Sequence, residues 1–107
     1  MSKIDPTARI EDGAIIGDGA SIGPYCIVGS NVSIGANCTL HAHVNIAGQT
    51  TLGAGCTVYP FASLGTPPQS SGHRGEVTRL EIGESCMIRE SVTINTGTVA
   101  GGGITRI

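Results

Sequence analysis

The chain is poor in aromatic and charged residues. It has no tryptophan, its only aromatic side chains are Tyr25, Tyr59 and Phe61, and 6 of its 107 residues are lysine or arginine. Nucleic-acid binding draws on clustered basic side chains and on aromatic rings that stack on bases, so this composition argues against a nucleic-acid partner. Residues 1–13 carry charge and no apolar stretch, so we expect neither a signal peptide nor a membrane span.

What the chain does have is a strict six-residue repeat. An aliphatic side chain occupies every sixth position from Ile4 to Leu64 and returns in phase at Ile82, Ile88 and Ile94. This period fits neither a helix of 3.6 residues per turn nor the two-residue alternation of a strand. It indicates a solenoid of short strands and turns.

Two further positions of the repeat support this interpretation. Glycine follows the aliphatic residue at seven of fourteen repeats, and we expect these glycines to adopt a left-handed backbone at the corners of the solenoid. The residue four places after the aliphatic one is small or β-branched in thirteen repeats, the exception being Pro68. One large and one small inward side chain per repeat would fill a narrow prism.

All four cysteines occupy the small position of the repeat. Cys38 and Cys56 would stack one coil apart, near enough for a bridge. A buried cysteine serves equally as a small apolar residue, and no pair has the spacing of a zinc site. We therefore expect free thiols, no metal and a reducing cytoplasmic location.

The hexad resembles that of the hexapeptide-repeat acyltransferases, whose fold is a left-handed parallel β-helix with three hexads in each triangular coil. The resemblance implies an all-β chain, with residues 1–107 forming one domain of about six coils and one loop excursion. Regular coils are expected at residues 4–21, 22–39 and 40–57, loop-distorted coils at 58–75 and 76–93, and the start of a sixth at 94–107.

Two stretches break the hexad, and irregular loops on a rigid scaffold often carry function. Residues 66–79 contain Gln69, His73 and Arg74, which could hydrogen-bond a sugar or pair with a phosphate. A solvated loop, or one that contacts a neighbouring subunit, is the alternative. Residues 96–105 contain three consecutive glycines but no helix signal follows, which favours a corner insertion over an anion cradle.

Several longer motifs narrow the resemblance. They are residues 5–8 (Asp-Pro-Thr-Ala), 22–29 (Ile-Gly-Pro-Tyr-Cys-Ile-Val-Gly), 75–79 (Gly-Glu-Val-Thr-Arg) and the run 89–105. In order and spacing they resemble the acyl-carrier-protein–UDP-N-acetylglucosamine O-acyltransferases of lipid A biosynthesis. That family implies a cytoplasmic homotrimer without cofactor, in which a histidine base helps the sugar 3-hydroxyl attack the thioester of acyl carrier protein.

The departures from the family pattern concern its site residues. Where the family has Gln-Asp-Leu-Lys, this chain reads Gln-Ser-Ser-Gly from Gln69, so only the glutamine carries over. The family's Ile-His-Arg-Gly reads Ile-Asn-Thr-Gly from Ile94, and its catalytic histidine would lie beyond Ile107. We therefore predict substrate contacts at Gln69, His73 and Arg74, assign no catalytic residue, and expect this segment alone to be inactive.

Two other functions stay open at this point. A trimeric zinc enzyme similar to the γ-type carbonic anhydrases would need three histidines, and His41, His43 and His73 are the candidates. A non-catalytic β-helix scaffold would need none. For the chain itself we expect a trimer or an end-to-end assembly, with residues 66–79 near a subunit boundary.

Overall fold

The structure, a computed structural model, describes residues 2–66, 79–90, 92–95 and 104–107. Within these residues the chain forms fifteen short β-strands and no helix, hence no helix that could cross a membrane. The strands are β1 (Lys3–Ile4), β2 (Arg9–Ile10), β3 (Ile15–Ile16), β4 (Ser21–Ile22), β5 (Ile27–Val28), β6 (Ser33–Ile34), β7 (Thr39–Leu40), β8 (Asn45–Ile46), β9 (Gln49–Leu52), β10 (Thr57–Val58), β11 (Ser63–Thr66), β12 (Arg79–Ile82), β13 (Met87–Ile88), β14 (Thr93–Asn95) and β15 (Ile104–Arg106).

Each strand pairs in parallel with the strand three places later in the chain, and this pairing produces three sheets. Sheet 1 has the order β1-β4-β7-β10-β13, sheet 2 the order β14-β11-β8-β5-β2, and sheet 3 the order β15-β12-β9-β6-β3. Ile4 lies opposite Ile22, and Leu40 lies opposite Val58, so one regular coil takes eighteen residues. The left-handed parallel β-helix predicted from the sequence is confirmed.

The number of coils differs from the expected six. Fifteen strands in three sheets make five coils in the described part of the chain. Gln49 pairs with Arg79, thirty residues on, which is twelve more than a regular coil. Two distorted coils were expected at 58–75 and 76–93. The structure instead has one coil made of β10, β11 and β12, with an insertion of twelve residues between β11 and β12. Arg79 pairs with Ile104 at a spacing of twenty-five, so the next coil carries seven extra residues.

The inward positions are those that the hexad predicts. Ile34, Ile46 and Leu52 are buried at 1%, 0% and 1% exposure, whereas Ile16 is half-buried and packs on the edge of the core. Within the described part of the chain, Ile16 belongs to the first coil, which stacks on a single neighbouring coil. Leu80 lies outside the fourteen repeats counted in the sequence and is nevertheless fully buried opposite Thr50.

The expected role of the glycines was wrong at six of the seven positions. A positive φ occurs at Gly65 but not at the others, which are Gly17, Gly23, Gly29, Gly35, Gly53 and Gly83. At Gly35 an added Cβ would lie 2.7 Å from the backbone of the next coil, at Ala54 N and Leu52 O. Most of these glycines therefore let successive coils approach closely.

The cysteines are free, as expected, and three of the four are buried. Their thiols donate to backbone carbonyl oxygens, Cys26 to His41 at 2.8 Å, Cys38 to Gly53 at 3.1 Å and Cys56 to Gly83 at 3.0 Å. Burial raises the pKa of the Cys26 and Cys56 thiols above the usual value. Such thiols stay protonated and act as core side chains.

Replacing Ile46 by aspartate should unfold the chain. Ile46 is completely buried between Val28 and Leu64, and a carboxylate there would lack any partner. The expected loss of stability is about 5 kcal/mol or more, comparable with the whole stability of a small domain. Asn45→Asp, one residue away on the outer surface, is the matched control and should melt close to the wild type. An unchanged melting temperature for Ile46→Asp would show that the inward register is wrong.

Candidate functional site

Both breaks in the hexad leave the β-helix at one edge of the prism, where sheets 2 and 3 meet. The first break joins β11 to β12 and the second joins β14 to β15, so each runs from sheet 2 to sheet 3. Thr66, the last residue of β11, pairs with Asn95, the last residue of β14. The two insertions therefore start one coil apart on the same edge, which we call the 2–3 corner.

A β-bulge marks the point where the first insertion begins. The register of β11 against β14 shifts between Leu64 and Thr66, and the intervening Gly65 is buried with φ +75°. A Cβ on Gly65 would overlap the hydroxyl oxygen of Thr50 and the carbonyl oxygen of Ala47. Only glycine fits this backbone and this space.

A polar groove runs along sheet 3 beside the 2–3 corner. Its volume is about 380 Å³, and the polar side chains that line it are those of Ser30, Asn31, Ser33, Gln49, Thr51, Arg79 and Glu81. Hydroxyl and amide groups of this kind can bind a polar ligand such as a sugar, and a guanidinium can pair with a phosphate. Arg79 is exposed and stands where the chain re-enters the sheet after the first insertion.

The predicted contact residues Gln69, His73 and Arg74 lie outside the described residues. The structure describes only the two ends of their segment, Thr66 and Arg79, both at the 2–3 corner. Substrate contact by these three residues thus stays a prediction.

His41 and His43 lie on a different edge, the 1–2 corner where sheets 1 and 2 meet. The His43 ring is stacked between Tyr25 and Phe61, with ring centroids 5.2 and 5.1 Å away. The His41 ring is stacked on Tyr59 at 5.0 Å. These contacts give both imidazoles a structural role in joining neighbouring coils.

The zinc-enzyme alternative finds no support in this arrangement. Across residues 2–66, 79–90, 92–95 and 104–107, no three histidine, cysteine, aspartate or glutamate side chains converge to hold a metal ion. His73, the third ligand that this alternative needs, is outside the described residues.

Comparison with known proteins places the chain in a family. Residues 13–48 and 31–66 match the model of the bacterial transferase hexapeptide family, described as six repeats. The chain belongs to this family. The hexapeptide repeat read from the sequence is the family's defining feature.

The relatives with similar sequences that are described below are all named as the same acyltransferase. The chain is 60% identical over all 107 residues to the acyl-[acyl-carrier-protein]–UDP-N-acetylglucosamine O-acyltransferase of Azorhizobium caulinodans, and 44% identical over 106 residues to that of Mesorhizobium japonicum. The crystal structure of the Moraxella catarrhalis UDP-N-acetylglucosamine O-acyltransferase superposes with a TM-score of 0.95 at 52% identity over 97% of this chain. The resemblance predicted from the motifs is confirmed.

The match covers only part of each relative. The chain spans 40% of the Azorhizobium protein, 38% of the Mesorhizobium protein and 40% of the Moraxella chain. In the Moraxella structure, the shared part superposes on 97% of this chain.

Thr50 and Gly65 were counted as ordinary members of the hexad, and their contact was not predicted, although the sequence holds part of a signal for it. Counting coils of eighteen residues from Gly29 places Ala47 and Gly65 at the same edge. Thr50 is a polar residue in a column whose other described members are Ala14, Val32, Leu80 and Thr105.

Replacing Gly65 by alanine should destabilise the β-helix by about 2–5 kcal/mol, because left-handed strain adds to overlap with Thr50 and Ala47. Gly55→Ala is the matched control, since Gly55 has φ +74° but its nearest neighbour would be the Ser85 hydroxyl at 3.3 Å. It should cost only about 1–2 kcal/mol. Chemical denaturation of both variants measures the difference, and equal losses would contradict the proposed overlap.

Proposed function

We propose that this β-helix is part of an acyltransferase that moves a 3-hydroxyacyl chain from acyl carrier protein to the 3-hydroxyl of UDP-N-acetylglucosamine, the first step of lipid A biosynthesis. The observation that carries the proposal is the 60% identity over all 107 residues to a protein of that name. The TM-score of 0.95 with the Moraxella enzyme agrees with it at the level of the backbone.

In this proposal the chain supplies a rigid scaffold and a substrate-contacting insertion. Gln69, His73 and Arg74 belong to the twelve-residue insertion that starts from the 2–3 corner. The amide of Gln69 suits hydrogen bonding to sugar hydroxyls, and the guanidinium of Arg74 suits bidentate pairing with a phosphate. The polar groove on sheet 3, with Gln49 and Arg79, lies beside the same corner.

The chemical step needs a general base that removes the proton of the sugar hydroxyl as it attacks the thioester carbonyl. His41 and His43 do not suit this role, because both lie in ring stacks at the 1–2 corner. We therefore propose that these 107 residues bind and position substrate but do not complete the reaction alone.

The complete gene product should acylate UDP-N-acetylglucosamine when acyl-loaded carrier protein is supplied, and the isolated 107-residue chain should not. In the complete product, Gln69→Ala should lower kcat/KM by about tenfold through loss of a polar substrate contact. Ser21→Ala on sheet 1 is the control and should behave as wild type. Release of free carrier-protein thiol measures turnover.

The purified 107-residue chain could itself turn over substrate, and its Gln69→Ala variant could lose that activity. This result would refute the proposal that the general base lies outside these 107 residues. A complete product that acylates nothing would refute the proposed function itself.

We also propose a cytoplasmic homo-oligomer, either a trimer or an end-to-end assembly, with residues 66–79 near a subunit boundary. The four free cysteines support a reducing compartment. Outward apolar side chains support association of the side faces, since Ile15 on sheet 3, Ile27 on sheet 2 and Met87 on sheet 1 are 63%, 45% and 59% exposed.

Sedimentation velocity of the complete product at micromolar concentration should show a species of three chains for the trimer, or larger species for the end-to-end assembly. A mass that stays constant on dilution indicates a closed trimer, whereas a mass that grows with concentration indicates end-to-end assembly. A stable, purely monomeric species would contradict both.

A further inference from the structure

Thr50 is a buried polar residue that core packing does not require. Its side chain has 0% exposure and lies opposite Leu80, with Val32 in the corresponding position one coil earlier. Valine has nearly the shape of threonine, and Val32 shows that it fits this column. The Thr50 hydroxyl therefore has a role other than filling the interior of the prism.

That hydroxyl replaces a backbone hydrogen bond of the regular corner. One coil earlier, the Gly29 carbonyl oxygen accepts from the backbone N–H of Val32 at 3.2 Å. At the corresponding place the Ala47 carbonyl oxygen accepts from the Thr50 hydroxyl at 2.7 Å. Gly48 adopts φ +63°, and Gln49 already belongs to strand β9 and pairs with Arg79. This corner is thus shaped differently one coil before the first insertion.

The same two oxygen atoms face Gly65. The Thr50 hydroxyl oxygen and the Ala47 carbonyl oxygen lie where a Gly65 Cβ would be. Ala47 is also held from its other side, because its N–H donates to the Leu64 carbonyl oxygen at 2.9 Å. The Ala47 carbonyl oxygen and the Thr50 hydroxyl oxygen together form a polar surface against which the bulge at Gly65 packs. The next residue after the bulge is Thr66.

We propose that Thr50 is a positioning residue for acyl transfer. Its hydroxyl fixes the Ala47 carbonyl, the pair fixes Gly65, and Gly65 sets the direction in which the chain leaves the β-helix at Thr66, three residues before Gln69 in the sequence. Misplacement of a substrate-contacting segment by about 1 Å can cost a hundredfold in rate. The proposal rests on the acyltransferase function proposed above.

The test compares Thr50→Val and Thr50→Ser in the complete gene product. Thr50→Val keeps the volume and loses the hydroxyl, so its melting temperature should stay near wild type while kcat/KM falls by about tenfold or more. Thr50→Ser keeps the hydroxyl and loses a methyl group, so its melting temperature should fall while kcat/KM stays within about threefold of wild type. Thr39→Val on sheet 1 makes the same chemical change away from the corner and should alter neither quantity.

Hydrogen exchange of the Thr66 and Asn95 amides provides a readout that does not depend on activity. Exchange should be faster in Thr50→Val and unchanged in Thr50→Ser. If the wild-type product acylates nothing, the proposed function fails, and the exchange rates still decide whether Thr50 holds the bulge.

Activity that follows the melting temperature through both variants would overturn the positioning role, since a residue with only a packing role gives that result. So would a Thr50→Val protein with wild-type kcat/KM and wild-type exchange.

Discussion

Hydrogen bonding between successive coils is the constraint on which the rest of this structure depends. Each strand has only two to four residues and no stability of its own, so its backbone groups must pair with the strands one coil before and one coil after. A coil can therefore gain residues only where the chain passes from one sheet to the next. The insertions of twelve and seven residues both obey this rule, and both occur at the 2–3 corner. Both insertions therefore begin on the same edge, one coil apart, and the parallel pairing within each of the three sheets continues beyond them.

Most of the fold could be predicted because the six-residue period fixes which side chains point inward. The buried residues Val28, Ile46 and Val58 follow from that period alone. The coil count did not follow, because the twelve extra residues are themselves two hexads and leave the phase of Ile82 unchanged. The position of a residue within the six-residue repeat predicts whether its side chain points inward. Only strand pairing shows to which coil that residue belongs.

The candidate site was less accessible to prediction than the fold. Gln69, His73 and Arg74 could be chosen for their chemistry and for the family resemblance, but an aperiodic segment gives no geometry. Thr50 and Gly65 belong to regular positions of the hexad, where they look like ordinary core and corner residues. Their significance depends on contacts between coils, and the sequence does not display such contacts directly.

The ring stacks of the 1–2 corner determine which part of this molecule can be followed by near-ultraviolet circular dichroism and intrinsic fluorescence. Tyr25, Tyr59 and Phe61 are its entire aromatic content, and all three lie on that single edge, where the Arg89 guanidinium also sits 4.2 Å from the Tyr59 ring centroid. Near-ultraviolet dichroism and tyrosine emission of this chain therefore monitor one edge of the prism. Ligand binding at the 2–3 corner would leave both signals unchanged unless it shifted whole coils, so an extrinsic fluorophore or a labelled amide is needed to observe that edge.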